Sequence, residues 1–444
     1  MRSLRAVRTC NNGTVYGIRC DMKITEFINE YAASPLLTLF LCVFGAYFLF
    51  ALRLDPRGIP SALRRGGGDG ISAAESLSVA LAGTLGVGNV SGVAVAIYAG
   101  GAGAVFWMMI SALLGAPLKY CEAYLSVLHR RGVTGGSPYY ASDIAGKKAG
   151  TAMAALCLLT SFCSGPFIQC GAASAAVSSS YGVPGLLTGA VFAAATLLTV
   201  SGGIKRVSSF CSSLMPLFCA VFAAMSLTAV CMRINEVPGV IMRIFREAFG
   251  FRQAAGGFSG ALFASAVRAG LSKGVFSHEA GCGTSSFSHA ASSVTDPSAQ
   301  GMIGVLEVLF DTVVFGGLTA LVVLLSQAPG DSGGTAAAIS AYSSFFGAAA
   351  GHMLTALTVF FAFASMICWA YYGTVCSDFI CPSLSPFYKV VYSASAVVGA
   401  VVSPALIWCL SDICCACTVV LNCAVMFRAR KSVIPEKRKK HRLS

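Results

Sequence analysis

Long apolar stretches alternate with short polar or glycine-rich segments along most of the chain. A helix needs about 20 mainly apolar residues to cross the hydrocarbon core of a bilayer, so the pattern predicts about eleven membrane-spanning helices. A Gly/Ala/Ser-rich connector, residues 328–350, is expected to hold a short external helix. The predicted spans are Pro35–Leu52, Ala74–Tyr98, Ala104–Leu128, Thr151–Val177, Pro184–Val200, Ser208–Met232, a broken span from Gly257 onwards, Gly301–Leu325, Met353–Val375, Tyr388–Val402 and Ala405–Phe427.

The composition supports a membrane protein and excludes two other classes. The 444 residues are 56% hydrophobic and only 11% charged, whereas about 25% of the residues in a soluble domain are charged. The high apolar content also excludes a disordered chain, because such chains have too little apolar surface to bury. We therefore predict an all-α polytopic membrane protein.

The basic residues lie mostly in the segments between apolar stretches and in the tail, and the net charge is +13. Because positively charged loops face the cytoplasm, we expect a cytoplasmic C-terminus and no binding of nucleic acid. The chain then divides into a partly disordered N-terminal segment (1–33), a transmembrane transporter domain (34–427) and a basic tail (428–444). The sequence leaves open whether translation starts at Met1 or Met22.

Two predicted spans are interrupted near their middle by glycines and polar residues, at Gly83–Asn89 and at Phe276–Thr284. A break frees backbone N–H and C=O groups, and each unsatisfied group costs several kcal/mol in lipid, so the break must line a cavity or be buried in protein. The breaks lie about five spans apart, which predicts two inverted repeats, about 74–232 and 257–427, after one extra helix. The alternative is that these glycines only allow close helix packing.

Paired broken helices at corresponding positions point to the binding site of a transporter. The N-terminus of a half-helix presents free N–H groups and a positive dipole end to a carboxylate. The carbonyls that end the preceding half-helix can bind a hard cation such as sodium, and glycine lets the backbone approach a ligand closely. We therefore interpret the two breaks as the binding site of a transporter.

Other polar residues inside the predicted spans are candidates for the same site, because intramembrane polar groups are rare and often functional. Gln169 lies in the middle of span four, where its amide meets a substrate or bonds a neighbouring helix. Ser365 and Trp369 share one face of span nine, although a tryptophan more often serves packing. Lys119 and Glu122, three residues apart, form a predicted pair on one helix. The buried charges that we assign to a gate or to ion pairs are Glu279, Glu307 and Asp311.

Several long motifs follow one another along nearly the whole chain, from about Lys23 to Phe427. They are Gly86–Ala94 (GVGNVSGVA), Gly100–Met108 (GGAGAVFWM), Gly135–Tyr140 (GGSPYY), Gly202–Arg206 (GGIKR), Gly274–Gly281 (GVFSHEAG), Leu306–Thr312 (LEVLFDT) and Trp369–Gly373 (WAYYG). Together they resemble the signature of the alanine or glycine:cation symporter family, the sodium:alanine symporters.

The resemblance implies a sodium-coupled importer of small neutral amino acids, alanine and glycine first, in the plasma (inner) membrane of a prokaryote. It implies the leucine-transporter-type 5+5 inverted repeat, with sodium as the coupling ion and no covalent cofactor. The N–H groups of Val87 and Gly88 would hold the substrate carboxylate. By the same resemblance, the substrate-binding residues are Thr84, Gly86, Val87, Gly88, Asn89, Gln169, Phe276, Ser277, Gly281 and Trp369, and the sodium ligands are Ala82, Leu85 and Ser365.

Two other functions stay open from the sequence. One is a proton-coupled carrier of the same fold, since His278 and Glu279 lie within the second break. The other is a membrane-embedded enzyme, which would need a nucleophile–base pair or a metal cluster; the histidines and cysteines form no such motif. We therefore expect a carrier of a small neutral amino acid and Na+, and no enzyme. The oligomeric state and the ion stoichiometry are not determined by the sequence.

Overall fold

The described part of the chain is helical. The computed structural model describes residues 34–434, apart from Arg53, Asp55, Arg65, 250–257, 327–333 and Ser403. Within these residues, strand-like pairing is limited to two isolated bridges. The predicted N-terminal segment 1–33, part of the predicted connector and the end of the basic tail lie outside the described residues.

In the first half of the chain, short helices flank the first break and longer helices surround them. These helices are α1 (Ser34–Leu52), α2 (Ile59–Leu63), α3 (Ala73–Thr84), α4 (Ser91–Gly100), α5 (Gly103–Leu128), α6 (Ser137–Ala145), α7 (Lys147–Phe162), α8 (Gly171–Tyr181), α9 (Gly185–Val200), α10 (Gly203–Met232) and α11 (Val237–Ala248). Helix α3 begins with a capping box, in which Ser72 and Glu75 each accept a hydrogen bond from the backbone N–H of the other.

The second half of the chain has a similar mixture of short and long helices. They are α12 (Phe258–His278), α13 (Ser286–Ala290), α14 (Pro297–Val308), α15 (Gly317–Leu325), α16 (Thr335–Phe346), α17 (Ala348–Ile380), α18 (Ser385–Gly399), α19 (Pro404–Arg428) and α20 (Arg430–Val433). Helix α16 is the short helix expected in the connector. Single 3-10 turns occur at Pro56–Gly58, Val87–Asn89, Ile234–Glu236 and Pro382–Leu384.

Several helices are long and apolar enough to cross a membrane. By length and composition seven described helices qualify, or eight if α3 and the bent segment that follows it count as one span. Helix α9 is apolar but has only 16 residues, fewer than the roughly 20 that a membrane span needs. The structure therefore supports a polytopic membrane protein, while the larger total of spans and the 5+5 repeat stay predictions.

Helix α5 packs extensively against α12 and α14. The contact between α5 and α12 depends on two glycines of α12. A Cβ atom at Gly270 would collide with the carbonyl oxygen of Ala104, and one at Gly274 would collide with the side chain of Ser111. Small residues let membrane helices approach closely. This close approach brings the polar residues of α5 beside the second break.

Within the described residues, two long helices contain a π-helical segment, in which hydrogen bonds run from residue i to i+5. The segments are Cys163–Cys170, between α7 and α8, and Leu309–Gly316, between α14 and α15. Pro166 lies inside the first segment, where it cannot donate a backbone hydrogen bond. π-Helical turns frequently mark functional sites, and these two carry Gln169 and Asp311.

The close contact between α12 and α5 predicts that Gly270→Ala destabilises the protein. The new methyl group would collide with the Ala104 carbonyl and would lie 2.5 Å from the Trp107 Cβ, so the helices must separate. We expect a loss of about 1–3 kcal/mol, measured as a lower melting temperature in detergent. Gly317→Ala is the matched control, because its Cβ would meet no atom within 4 Å. Equal melting temperatures for the two variants would contradict this account of the packing.

Candidate functional site

The first break bends the chain by 58° between α3 and the segment Val87–Gly100. The N–H of Gly86 donates to the carbonyl of Thr84 at 2.8 Å. The N–H of Val87 donates to the Oε1 atom of Gln169 at 3.1 Å. Neither N–H bonds to the carbonyl four residues earlier, as it would in an α-helix. The break therefore releases two backbone carbonyls from the helix.

The released carbonyls belong to Ala82 and Gly83, near the end of α3. The hydroxyl of Ser365, on α17, donates to the Gly83 carbonyl at 2.9 Å. Ala82 is fully buried, and Leu85, which follows the last residue of α3, is 2% exposed. The predicted sodium ligands Ala82, Leu85 and Ser365 thus lie around one stretch of freed backbone. The hydrogen bond from Ser365 reaches this stretch at Gly83, between Ala82 and Leu85.

The side chain of Gln169 fits into the first break because Gly86 has no side chain. A Cβ at Gly86 would lie 2.6 Å from the Oε1 atom of Gln169. The other end of the amide is fixed by the Ser164 carbonyl, which accepts from Nε2 at 3.0 Å. Gln169 is buried. Its side chain accepts the hydrogen bond that water would accept from the freed N–H of a broken helix in solution.

The second break begins where α12 ends at His278 and continues to the start of α13. Glu279 has φ of +52°, a left-handed conformation that costs a non-glycine residue on the order of 1 kcal/mol. Gly281 and Gly283 follow with φ of +92° and +75°. The Nδ1 atom of His278 accepts from the N–H of Ala280 at 3.0 Å. At this break the His278 side chain therefore replaces a helical hydrogen bond, and the glycines allow the backbone to turn.

The two breaks meet at a buried group of polar side chains. The hydroxyl of Ser277, from the end of α12, lies 2.8 Å from the Oδ1 atom of Asn89 and 2.7 Å from the Oδ2 atom of Asp311. Its single proton can serve only one of them at a time. The Nδ2 atom of Asn89 donates to Oδ1 of Asp311 at 2.5 Å, and Thr312 donates to Oδ2 at 2.8 Å. Asp311 therefore joins both breaks to a π-helical segment.

Aromatic side chains cover the first break. A Cβ at Gly88 would lie 3.4 Å from the ring of Phe276, and one at Gly83 would lie 2.8 Å from the hydroxyl of Tyr372. The ring of Trp369 lies 5.7 Å from that of Tyr372. The indole N–H of Trp369 is buried and has no hydrogen-bond partner among the described residues. Because buried polar groups are nearly always bonded, this N–H is available to a ligand.

One family model matches the sequence over nearly its whole length. It is described as the sodium:alanine symporter family, and it covers residues 19–440. This chain belongs to the sodium:alanine symporter family. The protein is therefore a transporter and not an enzyme, and its long apolar helices make it an integral membrane protein.

Two named relatives cover most of this symporter. The sodium/alanine symporter AgcS of Methanococcus maripaludis is 33% identical over 359 residues, which are 77% of this chain and 78% of the relative. The probable sodium/glutamine symporter GlnT of Bacillus subtilis is 32% identical over 428 residues, 92% of this chain and 88% of the relative. In structure, the chain resembles a manganese transporter of Eremococcus coleocola, with a TM-score of 0.54 at 12% identity over 79% of this chain and 75% of that one. That likeness shows a shared fold alone.

Glu307, one of the residues predicted for a gate or ion pair, forms an ion pair in this symporter. Its Oε1 atom lies 3.3 Å from the ammonium of Lys119, and its Oε2 atom lies 2.9 Å from the Nε2 atom of His289. The sequence pairs Lys119 with Glu122 on the same helix, whereas the structure forms the ion pair with α14. The difference arises because α14 packs along α5 and presents its carboxylate to the same face.

Three other predicted site residues of the symporter make their hydrogen bonds away from Asn89, Ser277 and Asp311, as far as the described residues show. Glu279 accepts from the hydroxyl of Thr284 at 2.6 Å. The carbonyl of Gly281 accepts from the Nδ2 atom of Asn422, on α19, at 2.9 Å. The hydroxyl of Thr84 donates to the carbonyl four residues earlier in its own helix at 3.2 Å. Their roles in transport stay predictions.

Helix α19 contributes contacts that the sequence analysis did not find. The ring of Trp408 lies 4.5 Å from that of Phe276. The ammonium of Lys273 lies 3.1 Å from Asp412 and 4.6 Å from the centre of the Trp408 ring. A cavity of about 200 Å³ lies beside Trp408 and Ile168. A charged residue within a predicted span was a signal that Asp412 has a partner, but spacing along one helix cannot identify a partner on another.

The shared contacts of Asp311 predict a loss of stability when its oxygens are removed. In Asp311→Ala the amide of Asn89 and the hydroxyl of Thr312 stay buried without this acceptor, each at a cost of about 1–3 kcal/mol, while the hydroxyl of Ser277 keeps the Oδ1 atom of Asn89. We expect a clear fall in melting temperature in detergent. Asp311→Asn keeps one acceptor oxygen and the shape of the side chain, so it should lose much less. The account is wrong if the two variants melt at the same temperature.

Proposed function

We propose that this symporter couples the entry of sodium to the uptake of small neutral amino acids, alanine and glycine first, by alternating access. The observation that carries the proposal is the contact between the breaks, where the buried side chains of Asn89 and Ser277 lie 2.8 Å apart. Half-helix ends and freed backbone groups then converge on one small polar region, as binding of a zwitterion requires. The relatives named as sodium/alanine and sodium/glutamine symporters support the coupling ion and the substrate class.

The substrate carboxylate would bind to the N–H groups of Val87 and Gly88. These N–H groups lie where a new helical segment starts, and such a helix start attracts anions. The Val87 N–H now donates to the Oε1 atom of Gln169, which stands where a carboxylate oxygen would bind. When substrate enters, the amide of Gln169 would turn and donate to it. Asn89 would lie beside the carboxylate, held in place by Asp311.

Sodium would bind among the carbonyls of Ala82 and Leu85 and the hydroxyl of Ser365. Hard cations prefer oxygen ligands, and the first break releases carbonyls at this place. The Ser365 hydroxyl now donates to the Gly83 carbonyl at 2.9 Å, and a sodium ion between them would take both oxygens as ligands. Because the same break holds the N–H groups for the carboxylate, sodium would order the backbone that the amino acid needs. Coupling of this kind is reciprocal.

Small substrates would be preferred because two aromatic side chains lie against the broken backbone. Phe276 lies against Gly88 and Tyr372 against Gly83, and the buried ring of Trp369 packs on Tyr372. A side chain much longer than a methyl group would have to displace one of these rings, and well-packed groups resist such displacement. The proposed pocket therefore selects against large amino acids by size.

We further infer that two inverted repeats, about 74–232 and 257–427, follow one extra N-terminal helix within the transporter domain 34–427. The fold shared with a solved transporter supports this architecture. The basic residues of the loops and of the tail 428–444 support a cytoplasmic C-terminus. The bacterial and archaeal relatives support a place in the plasma (inner) membrane of a prokaryote.

Uptake by proteoliposomes tests the proposed function. Labelled alanine is offered to liposomes containing the purified protein under an inward sodium gradient, with equal sodium on both sides, and under a proton gradient without sodium. We expect concentrative uptake only under the sodium gradient, with competition by glycine and none by tryptophan. Uptake driven by protons without sodium would favour a proton-coupled carrier of the same fold. No uptake of any neutral amino acid would refute the proposal.

The indole N–H of Trp369 has no partner in the described part of the chain, which predicts that Trp369→Phe weakens alanine binding. Phenylalanine keeps an aromatic ring but cannot donate a hydrogen bond, so losing a bond to substrate worth about 1.4 kcal/mol would lower the affinity about tenfold. Binding of labelled alanine to the purified protein measures the effect. Trp107→Phe is the matched control, because the Trp107 N–H already donates to the Ala248 carbonyl at 3.2 Å. Unchanged affinity in Trp369→Phe would exclude this residue as a substrate ligand.

A further inference from the structure

A group of buried charges lies beside the second break, outside the proposed substrate and sodium sites. It consists of Lys119 and Glu122 on α5, Glu279 in the break and Glu307 on α14, and we call it the carboxylate cluster. Three of its members are fully buried, and Glu279 is 7% exposed. The ammonium of Lys119 interacts electrostatically with all three carboxylates. Ionisable groups within membrane-spanning helices are costly and usually functional.

The charges of the carboxylate cluster do not balance. Among the described residues it contains three carboxylates and one ammonium, and the ammonium of Lys119 lies 3.3 Å from Glu307. Even if His289, which also contacts Glu307, were charged, one negative charge would stay uncompensated. An unpaired buried charge costs several kcal/mol, and such a group takes up a proton instead. The balance of charge therefore requires at least one bound proton.

Of the three carboxylates, Glu122 is the one whose surroundings most favour the protonated form. Its Oε1 atom accepts from the N–H of Gly283 at 2.7 Å and from the Nδ2 atom of Asn422 at 2.8 Å. Its Oε2 atom is buried, and no described residue makes a hydrogen bond to it. Of the three carboxylates, Glu122 alone has a fully buried oxygen without a partner among the described residues. Both oxygens of Glu307 have partners, Lys119 and His289, and Glu279 is slightly exposed and accepts from Thr284. A neutral O–H without an acceptor costs less than an ionised oxygen without a donor.

The surroundings of Glu122 favour a proton over a metal ion. Its nearest polar neighbours are the backbone N–H groups of Gly283 and Gly281, an amide NH₂ and, one turn away, an ammonium. A metal cation needs several oxygen ligands and would be repelled by these groups, whereas a proton needs a single oxygen. The titratable groups that face Glu122 or its immediate partners are Lys119 and Cys121 on α5, Tyr140 on α6, His278, Glu279 and Cys282 around the break, Glu307 on α14 and Cys423 on α19.

We propose that Glu122 is a proton-binding site whose occupancy depends on the conformation of the second break. The link is structural, because Gly283 belongs to the break and Asn422 also holds the carbonyl of Gly281 at 2.9 Å. When the break rearranges, Glu122 loses or gains these donors, and the equilibrium between the neutral carboxyl and a carboxylate plus a free proton shifts. The proton comes from water and returns to water. This inference rests on the proposed function, which assigns the rearrangement to the transport cycle.

Alanine binding measured against pH tests the link between Glu122 and the break. At saturating sodium, the affinity of the wild type should change by up to about tenfold per pH unit over part of the range, if one proton is linked to binding. Glu122→Gln keeps the acceptor for the Gly283 N–H but cannot ionise, so its affinity should not vary with pH. Asp143→Asn removes a partly exposed carboxylate that pairs with His129 and should keep the wild-type profile. A flat wild-type profile, or an equally steep one in Glu122→Gln, would overturn the proposal.

Infrared spectroscopy separates failure of this inference from failure of the proposed function. At neutral pH the wild type should show the carbonyl band of a protonated carboxyl group, and the band should be reduced in Glu122→Gln whether or not any amino acid binds. Identical spectra would overturn the proton site. The expected difference in a protein that binds no neutral amino acid would support the proton site and refute the proposed function.

A second variant keeps the test decisive if Glu122→Gln cannot be purified. Asn422→Ala retains the carboxyl group of Glu122 and removes one donor to it. Loss of a donor disfavours the ionised form, so the infrared band should persist to a higher pH than in the wild type. An unchanged pH dependence of the band in Asn422→Ala would count against Glu122 as its source.

Discussion

A backbone polar group inside a bilayer must find its partner within the protein, and the structure depends on how two broken helices meet this requirement. Gln169 and Ser365 bond to the backbone of the first break, and Glu122 and Asn422 bond to that of the second. Each of these side chains comes from a different helix or helical segment than the break it serves. The residues around the breaks are therefore those that allow broken helices to exist in a membrane. In the proposed function, the substrate, the sodium ion and the proton would replace or compete with the same bonds.

The two breaks are not independent of each other. The contacts among Asn89, Ser277 and Asp311 join them through a group with 3% exposure or less. Any movement of one break must either carry the other along or separate these buried groups at a cost of about 1–3 kcal/mol for each one left unpaired. The carboxylate cluster touches the same second break through Gly283. The proposed substrate, sodium and proton sites would thus all depend on movement of the two linked breaks.

The sequence was sufficient to locate the breaks but not to identify most of their partners. Glycines and polar residues within apolar stretches are visible locally, so Asn89 and Gln169 could be named from the pattern alone. The pattern could not predict the ion pair between Lys119 and Glu307 or the contacts of Asn422. These residues are far apart in the chain and meet only when the helices pack. Spacing identifies neighbours on one helix. The total of eleven spans stays a prediction, because length and hydropathy alone do not determine whether a short or polar helix crosses the membrane.

The π-helical segments give the bundle a mechanical property that an α-helix lacks. A π-helical hydrogen bond spans one residue more than an α-helical one, so a shift of the π-helical segment by one position along the chain would leave the helix continuous. Each such step rotates the side chains it passes by about 100°. Gln169 and Asp311 both lie on these segments, so a one-residue slip would withdraw either side chain from the breaks while the two ends of its helix remain anchored in the bilayer.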